Sequence, residues 1–237
     1  MHMITPTVMF LSAVTLLLSA ALIAAWNRLR IAHRTNFIQS YSFPTGLFER
    51  LRKGHPELTM KDCQLVSRAL RQFFLVYLKS GRKFVSMPSQ VADDLWHEFI
   101  LYTRNYDQFC KQAFGRFMHH TPAVVLSADR QTNAGLRRCW WYTCKDENIN
   151  PRNAIRLPLL FALDAKLNIA NGFTYVADCE SVRRESTQSG GNGAIYCGGD
   201  FGTSGIDGST DGFGEVGGSD GGDSGDGGCG GGCGGGD

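Results

Sequence analysis

Positive charge is absent from the end of this sequence, and charge of either sign is absent from a run near its start. No lysine or arginine lies between Gly190 and Asp237, a segment with 23 of the 29 glycines and eight of the 22 acidic residues. All 24 basic residues and the other 14 acidic residues come earlier, so residues 1–189 carry a net charge of +10 and the remainder −8. The near-neutral total therefore hides a basic part and an acidic part.

Large apolar side chains are scarce in residues 189–237, which excludes a hydrophobic core there. They are too few to offset the entropy lost when so many glycines are ordered. We therefore predict a disordered tail rich in glycine, aspartate and cysteine. Its negative charge suggests that it folds back loosely on the basic domain or keeps that domain soluble, with a solvated spacer as the alternative.

The uncharged run over residues 8–26 predicts a transmembrane helix that follows a short N-terminal segment, residues 1–7. Nineteen residues in a helix span about 28 Å, close to the thickness of a hydrocarbon core. Residues 1–7 contain no lysine or arginine, which argues against a cleaved signal peptide, although the small residues at 20–25 leave cleavage as an alternative. Membrane lipid is thus the expected partner of residues 8–26.

Basic residues follow the apolar run directly, in a stretch that we interpret as a juxtamembrane linker, residues 27–42. Arg28, Arg30 and Arg34 lie on the C-terminal side of the run, where they are expected to contact anionic lipids. By the positive-inside rule, this side faces the cytoplasm, which predicts a single-pass protein with its N-terminus outside and its C-terminus inside.

Eight cysteines would suit a disulfide framework outside the cell, but the predicted topology favours free thiols or metal ligands. They are Cys63, Cys110, Cys139, Cys144, Cys179, Cys197, Cys229 and Cys233. Cys139 and Cys144 lie beside two tryptophans, which is typical of buried thiols. Cys229 and Cys233 lie among glycines, where metal capture, oxidation and lipidation remain alternatives.

Helical periodicity over residues 43–188 predicts a mainly α-helical globular domain with one short strand. Thr59 is expected to cap a helix that runs to Lys79, and Ser127 a helix that runs to about Cys144. Between them, residues 90–114 have the pattern of one helix ended by Gly115. A short amphipathic helix up to Arg52, a helix at 159–164 and a strand at 173–176 complete the prediction.

Reactive side chains are densest in the segment DDLWHE, residues 93–98, and in the two histidines that follow it at 119 and 120. Asp93 and His97 are neighbours on one helical face because they are four residues apart. If His119 or His120 folds back onto this helix, the imidazoles and the carboxylate form a site for a divalent metal such as zinc. The alternative is a structural role, in which His97 is solvated or packs against the loop.

Several well-known sites are absent. The segment HEFIL lacks a second histidine four residues after His97, which excludes a zincin-type metalloprotease, and no Walker loop is present. The basic residues are scattered without interleaved aromatic positions, so nucleic acid is not an expected partner.

The stretch MPSQVADDLWHEFILYTRNYDQFCKQAFGRFMHHTP resembles the central motif of the bacterial glycine-rich domain-containing proteins, which are distantly similar to the plant glycine-rich domain proteins. The later segment LPLLFALDAKLNIANGFTYV and the glycine- and cysteine-rich end are also similar to these proteins. The resemblance implies a bacterial, membrane-attached protein of unknown role, which with the predicted topology indicates the cytoplasmic membrane, and it singles out seven positions. These are Asp93, Trp96, His97, Tyr106, Cys110, His119 and His120.

These observations favour a membrane-anchored interaction or scaffold protein, with a protein partner and no assigned catalytic residue. The alternative is a metal-dependent hydrolase in which His97, His119 and His120 bind the metal and Asp93 or Glu98 orients a ligand or acts as general base. A third hypothesis places the domain outside the cell, where its cysteines would be paired.

Overall fold

The computed structural model of the chain describes residues 6–120, 134–177 and 195–197. Over these ranges the protein is mainly α-helical, as predicted, with seven helices and a two-stranded sheet. The helices are α1 (Pro6–Ser40), α2 (Leu47–Gly54), α3 (Met60–Lys79), α4 (Gln90–Leu101), α5 (Thr103–Phe114), α6 (Ala134–Asp146) and α7 (Leu159–Lys166). The strands are β1 (Thr174–Val176) and β2 (Ile195–Cys197).

Helix α1 is long and apolar enough to cross a membrane, and its side chains from Phe10 to His33 are all exposed. The helix does not end after the apolar run. It continues to Ser40, so most of the stretch interpreted as a linker, residues 27–42, is helical. The physical reason is packing, because Ile38 is fully buried in the core of the domain.

Helix α3 lies at the centre of the domain and contacts α1, α4, α6 and α7. Its start is fixed by the predicted cap. The Thr59 hydroxyl accepts a hydrogen bond from the Asp62 amide at 3.2 Å, and the Asp62 carboxylate accepts one from the Thr59 amide at 2.9 Å. Phe73 and Phe74 are fully buried, so this helix supplies much of the core.

The prediction of a single helix over residues 90–114 is wrong, because the helix breaks at Tyr102 into α4 and α5. In an unbroken helix, Phe99 and Phe109 would be about 15 Å apart along the axis. The break brings their ring centroids to 5.5 Å, and both rings are buried. The two apolar faces therefore pack on each other across the break, a gain in burial that helical periodicity alone does not reveal.

The C-terminal part of the domain follows the prediction with one correction. Helix α7 and strand β1 form where they were expected, whereas the predicted cap Ser127 lies outside the described residues. Residues 195–197 fall in the stretch predicted to be disordered, yet they form β2, parallel to β1 with Thr174 opposite Ile195. Ile, Tyr and Cys are a local run of larger side chains in the tail, and they suit a strand. The other residues of the predicted tail, 189–194 and 198–237, lie outside the described residues.

Candidate metal site

Asp93, His97 and His120 each direct one metal-ligating atom into the same small space. The three atoms lie within 4.8 Å of one another. His120 Nε2 is 2.9 Å from one carboxylate oxygen of Asp93, and His97 Nδ1 is 3.6 Å from the other. The centroids of the two imidazole rings are 4.1 Å apart. The arrangement offers two nitrogen ligands and one oxygen ligand.

Helix α4 supplies two of these three residues. Ser89 caps the helix by accepting a hydrogen bond from the Ala92 amide at 3.3 Å, which places Asp93 in the first turn and His97 one turn later. Asp93 is buried, whereas the side chain of His97 is 51% exposed. The cluster therefore has a buried carboxylate floor and a solvent-facing imidazole.

A chain of buried hydrogen bonds positions the third residue, His120. Trp96 Nε1 donates to the Tyr106 hydroxyl at 3.1 Å, and that hydroxyl donates to the Met118 carbonyl at 2.6 Å. The Trp96 indole also packs edge-on against the His120 ring, with centroids 4.5 Å apart. Burial strongly raises the pKa of Tyr106, so its hydroxyl keeps the proton that it donates.

Gly115 provides the backbone turn between α5 and the loop that carries His120. It ends α5 in the left-handed region, with φ 74°, where a side chain is strained. A Cβ atom there would also lie 2.6 Å from Nη2 of Arg34. Glycine at this position therefore lets residues 116–120 turn back toward α4.

A sequence model of the UCP032817-like family matches residues 33–201, more than two thirds of the chain. The chain belongs to the UCP032817-like family. The matched range contains α2 to α7 and both strands, and it omits the apolar run of α1. Comparisons with curated proteins and with solved structures gave no match. The resemblance to glycine-rich domain proteins stays a prediction.

His119 does not join the cluster in this UCP032817-like domain. Its side chain is exposed and packs on Phe117, with ring centroids 4.8 Å apart, and it lines a neighbouring cavity. Adjacent residues in an extended loop point in different directions, so only one histidine of the pair can face α4. The structure selects His120.

Two carboxylates next to the cluster already have partners. Glu98, considered as a general base, forms an ion pair with Arg50. Asp94 lies 2.8 Å from His55 Nε2 and accepts a hydrogen bond from Gln90 Nε2 at 3.0 Å. Both carboxylates therefore contact side chains outside the cluster. The Asp94–His55 pair was missed by sequence reasoning because His55 is 39 residues away and carries no local signal.

Asp164 on α7 is a second residue that sequence reasoning missed. Its buried carboxylate accepts hydrogen bonds from the Ser89 hydroxyl at 2.6 Å, the Gln90 amide at 2.7 Å and the Phe173 amide at 2.9 Å. It therefore fixes the first turn of α4, which carries Asp93. Its negative charge also interacts favourably with the positive N-terminal end of that helix. The only sequence signal is an aspartate within the apolar run LLFALDA.

The four cysteines whose side chains the structure describes stand apart from the site. Cys63, Cys110, Cys139 and Cys144 are buried and free. Burial raises the pKa of Cys110 and raises that of Cys144 to about 12, so these thiols stay protonated near neutral pH. Cys110 contacts Tyr106 and is not one of the three clustered ligands.

Tyr106→Phe is expected to destabilise the domain by about 1–3 kcal/mol, because it leaves the buried Trp96 N–H and Met118 carbonyl without their shared partner. Chemical denaturation of the full chain in detergent, followed by near-UV circular dichroism, measures this loss. Tyr102→Phe is the matched control, since the Tyr102 hydroxyl makes one long, exposed bond of 3.3 Å to the Thr45 carbonyl. An equal loss in both variants would contradict the positioning role of Tyr106.

Proposed function

We propose that this protein is a membrane-anchored interaction protein whose recognition surface is organised by a divalent metal, most favourably Zn²⁺, bound by Asp93, His97 and His120. The observation that carries the proposal is the convergence of three ligand atoms within 4.8 Å. Imidazole and carboxylate are both ordinary zinc ligands. The anchor is α1, and its flanking arginines favour a cytoplasmic domain in a bacterial inner membrane.

The separations between the ligand atoms support this assignment. Tetrahedral zinc with bonds of about 2.0–2.1 Å requires ligand atoms that are about 3.3 Å apart. The nitrogens of His120 and His97 lie 2.9 Å and 3.6 Å from different oxygens of the Asp93 carboxylate, and the three ligand atoms all lie within 4.8 Å of one another. Side-chain rotations that turn one carboxylate oxygen and both nitrogens toward a common point would admit the ion.

Three protein ligands leave one tetrahedral position for a water molecule or for a group from a partner. His97 is the solvent-facing member of the set, so a group from a partner can approach the site from solvent. A carboxylate or imidazole of a bound protein partner is chemically suited to complete the coordination. Binding of the partner would then depend on the metal, and the helical domain would act as the scaffold that presents the site.

A metal-dependent hydrolase is the second candidate, and the open position is the observation that favours it, since zinc-bound water is a nucleophile near neutral pH. Among the described residues, however, the nearby carboxylates of Asp94 and Glu98 are engaged by His55 and Arg50. A zinc-dependent turnover of activated ester or phosphodiester substrates, lost in His97→Ala, would favour the hydrolase over the interaction protein.

Zinc titration calorimetry on the full chain in detergent tests the proposal. Cys229 and Cys233 could bind zinc on their own, so the measurement uses a Cys229→Ser, Cys233→Ser background. We expect one zinc ion per chain, and a loss of affinity of at least about 100-fold in His97→Ala and in His120→Ala, because removal of a direct ligand exceeds typical outer-sphere effects.

His119→Ala and His55→Ala are the matched controls, because each removes an imidazole close to the site that is not one of its ligands. Both should bind zinc with nearly the parent affinity. The proposal fails if His119→Ala loses as much affinity as His120→Ala, or if His97→Ala and His120→Ala both retain the parent affinity.

A further inference from the structure

The C-terminal end of α5 points back toward the apolar half of α1. Arg34 on α1 donates a hydrogen bond from Nη1 to the Phe114 carbonyl at 3.0 Å. Farther along the chain, Phe37 on α1 and then Tyr41 just after it pack on Phe109, with ring centroids 5.8 Å and 4.7 Å apart. The two helices therefore run antiparallel. The end of the domain at Phe114 is the end that faces the apolar run.

Arginines gather at this end of the domain. Arg82 donates from Nη1 to the same Phe114 carbonyl as Arg34, at 3.0 Å. Arg116 donates from Nε to the Tyr77 hydroxyl at 3.1 Å and from Nη2 to the carbonyl of Arg82. Arg28 and Arg30 precede Arg34 on exposed positions of α1. We call the set of Arg28, Arg30, Arg34, Arg82 and Arg116 the basic end.

The charge of the basic end is not compensated within the part of the chain that the structure describes. None of its five arginines has a carboxylate within 4.0 Å in residues 6–120, 134–177 and 195–197. Arg34 and Arg82 instead share one backbone carbonyl. Such a concentration of like charge attracts a complementary anionic surface.

Two exposed phenylalanines accompany the arginines. Phe84 is 47% exposed and Phe117 is 42% exposed. Together with Arg82 and Arg116 they line a cavity of about 460 Å³. Exposed aromatic rings beside basic groups are typical of surfaces that meet a membrane interface, where rings enter the headgroup layer and cations meet phosphates.

The length of α1 places the basic end at the bilayer surface. From Trp26, the last residue of the apolar run, Arg34 is about 12 Å along the helix, and Arg28 and Arg30 are about 3 and 6 Å along it. The headgroup region adds about 6 Å on each side of the hydrocarbon core. Because an arginine side chain extends several ångströms, Arg34 and its neighbours reach the phosphates.

We propose that the basic end docks on the anionic phospholipid headgroups of the membrane that α1 crosses, so that the domain rests on the bilayer in a fixed orientation. This inference rests on the membrane anchoring in the proposed function and is independent of the metal. Charge complementarity favours anionic over zwitterionic lipid. Because α1 continues into the domain, it keeps the basic end next to the bilayer that α1 crosses.

Lipid photo-cross-linking of the full chain in nanodiscs tests this docking. The photoreactive residue p-benzoylphenylalanine replaces Phe117, or replaces Leu101 as the matched control. Leu101 is 60% exposed at the end of α4, next to the start of α5, and α5 itself spans about 18 Å from there to the basic end. Discs contain phosphatidylcholine alone or equal amounts of phosphatidylcholine and phosphatidylglycerol, and mass spectrometry counts lipid adducts.

We expect about fivefold or more lipid adduct at Phe117 in anionic discs than in neutral discs, and little at Leu101 in either. Arg82→Gln with Arg116→Gln should lower the Phe117 adduct toward its neutral-disc level, with near-UV circular dichroism reporting whether the variant is folded. High salt should lower it in the unsubstituted background, because screening shortens the electrostatic range to about 3 Å at 1 M.

Equal adduct at Phe117 in neutral and anionic discs, or equal adduct at Phe117 and Leu101, would overturn the docking. Alkaline extraction separates this failure from a failure of anchoring. If the protein resists alkaline extraction but forms no lipid adduct at residue 117, only the docking is refuted. If alkali releases the protein from the membrane, both the anchor and the docking are refuted. Zinc titration of the same preparation reports on the metal site separately.

Discussion

Zinc at about 100 times its dissociation constant should raise the free energy of unfolding by about 2.7 kcal/mol, because it binds the folded site and lacks a preformed site in the unfolded chain. Asp93→Ala should remove nearly all of this gain. The carboxylate of Asp93 is the buried ligand that faces both His97 and His120, and without it the two imidazoles are held only by packing. Thermal unfolding of the full chain in detergent, with and without zinc, measures the effect.

The control for this experiment is Asp107→Ala. Asp107 is an exposed carboxylate that pairs with Lys111 on α5 and lies outside the cluster. The variant should change the metal-free stability by about 0.5 kcal/mol or less and keep the full response to zinc. A stabilisation by zinc that persists in Asp93→Ala would show that the metal binds elsewhere, and would count against the proposed ligand set.

Asp164→Ala should destabilise the domain by about 3–5 kcal/mol, whether or not zinc is present, because it leaves several buried donors unsatisfied. The Ser89 hydroxyl and the amides of Gln90 and Phe173 would lose their acceptor together. The first turn of α4 would then lose its tie to α7. Chemical denaturation of metal-free protein measures this loss.

Asp164→Asn refines the same test. The amide keeps one acceptor oxygen but turns an NH₂ group toward donors that need an acceptor, so an intermediate loss of stability is expected. Losses near zero in both variants would show that the hydrogen bonds of Asp164 do not stabilise α4. In that case the orientation of Asp93 must come from helix packing alone.

Helices with a strong apolar face were predictable from the sequence. The run from Met60 to Lys79 has helical spacing, and the capping pair Thr59 and Asp62 marks its start, so periodicity and cap agree. The break at Tyr102 was not predictable, because the residues on both sides keep the same period. Only the tertiary contact between Phe99 and Phe109 reveals it.

The candidate site was predictable in part. Asp93 and His97 share a helical face by their spacing alone, and the structure brings them together. The choice between His119 and His120 depends on how a loop turns after Gly115, which local pattern does not determine. Asp164 was not predictable because its partners at the start of α4, Ser89, Gln90 and Val91, lie 73 to 75 residues away in the sequence.

Two adjacent aspartates on α4 serve different contacts, and helical geometry explains why. Successive residues point about 100° apart around the axis. Asp93 therefore turns toward His120, whereas Asp94 turns toward His55 after α2. The site combines one local pair with one long-range contact, and sequence reasoning recovers only the local pair.

X-ray absorption at the zinc edge, on the full chain loaded with one equivalent of zinc, identifies the atoms that bind the metal. We expect a four-coordinate ion with nitrogen and oxygen neighbours at about 2.0–2.1 Å and the outer-shell scattering of two imidazoles. Sulfur neighbours at about 2.3 Å would place zinc on cysteines such as Cys229 and Cys233 and contradict the site formed by Asp93, His97 and His120.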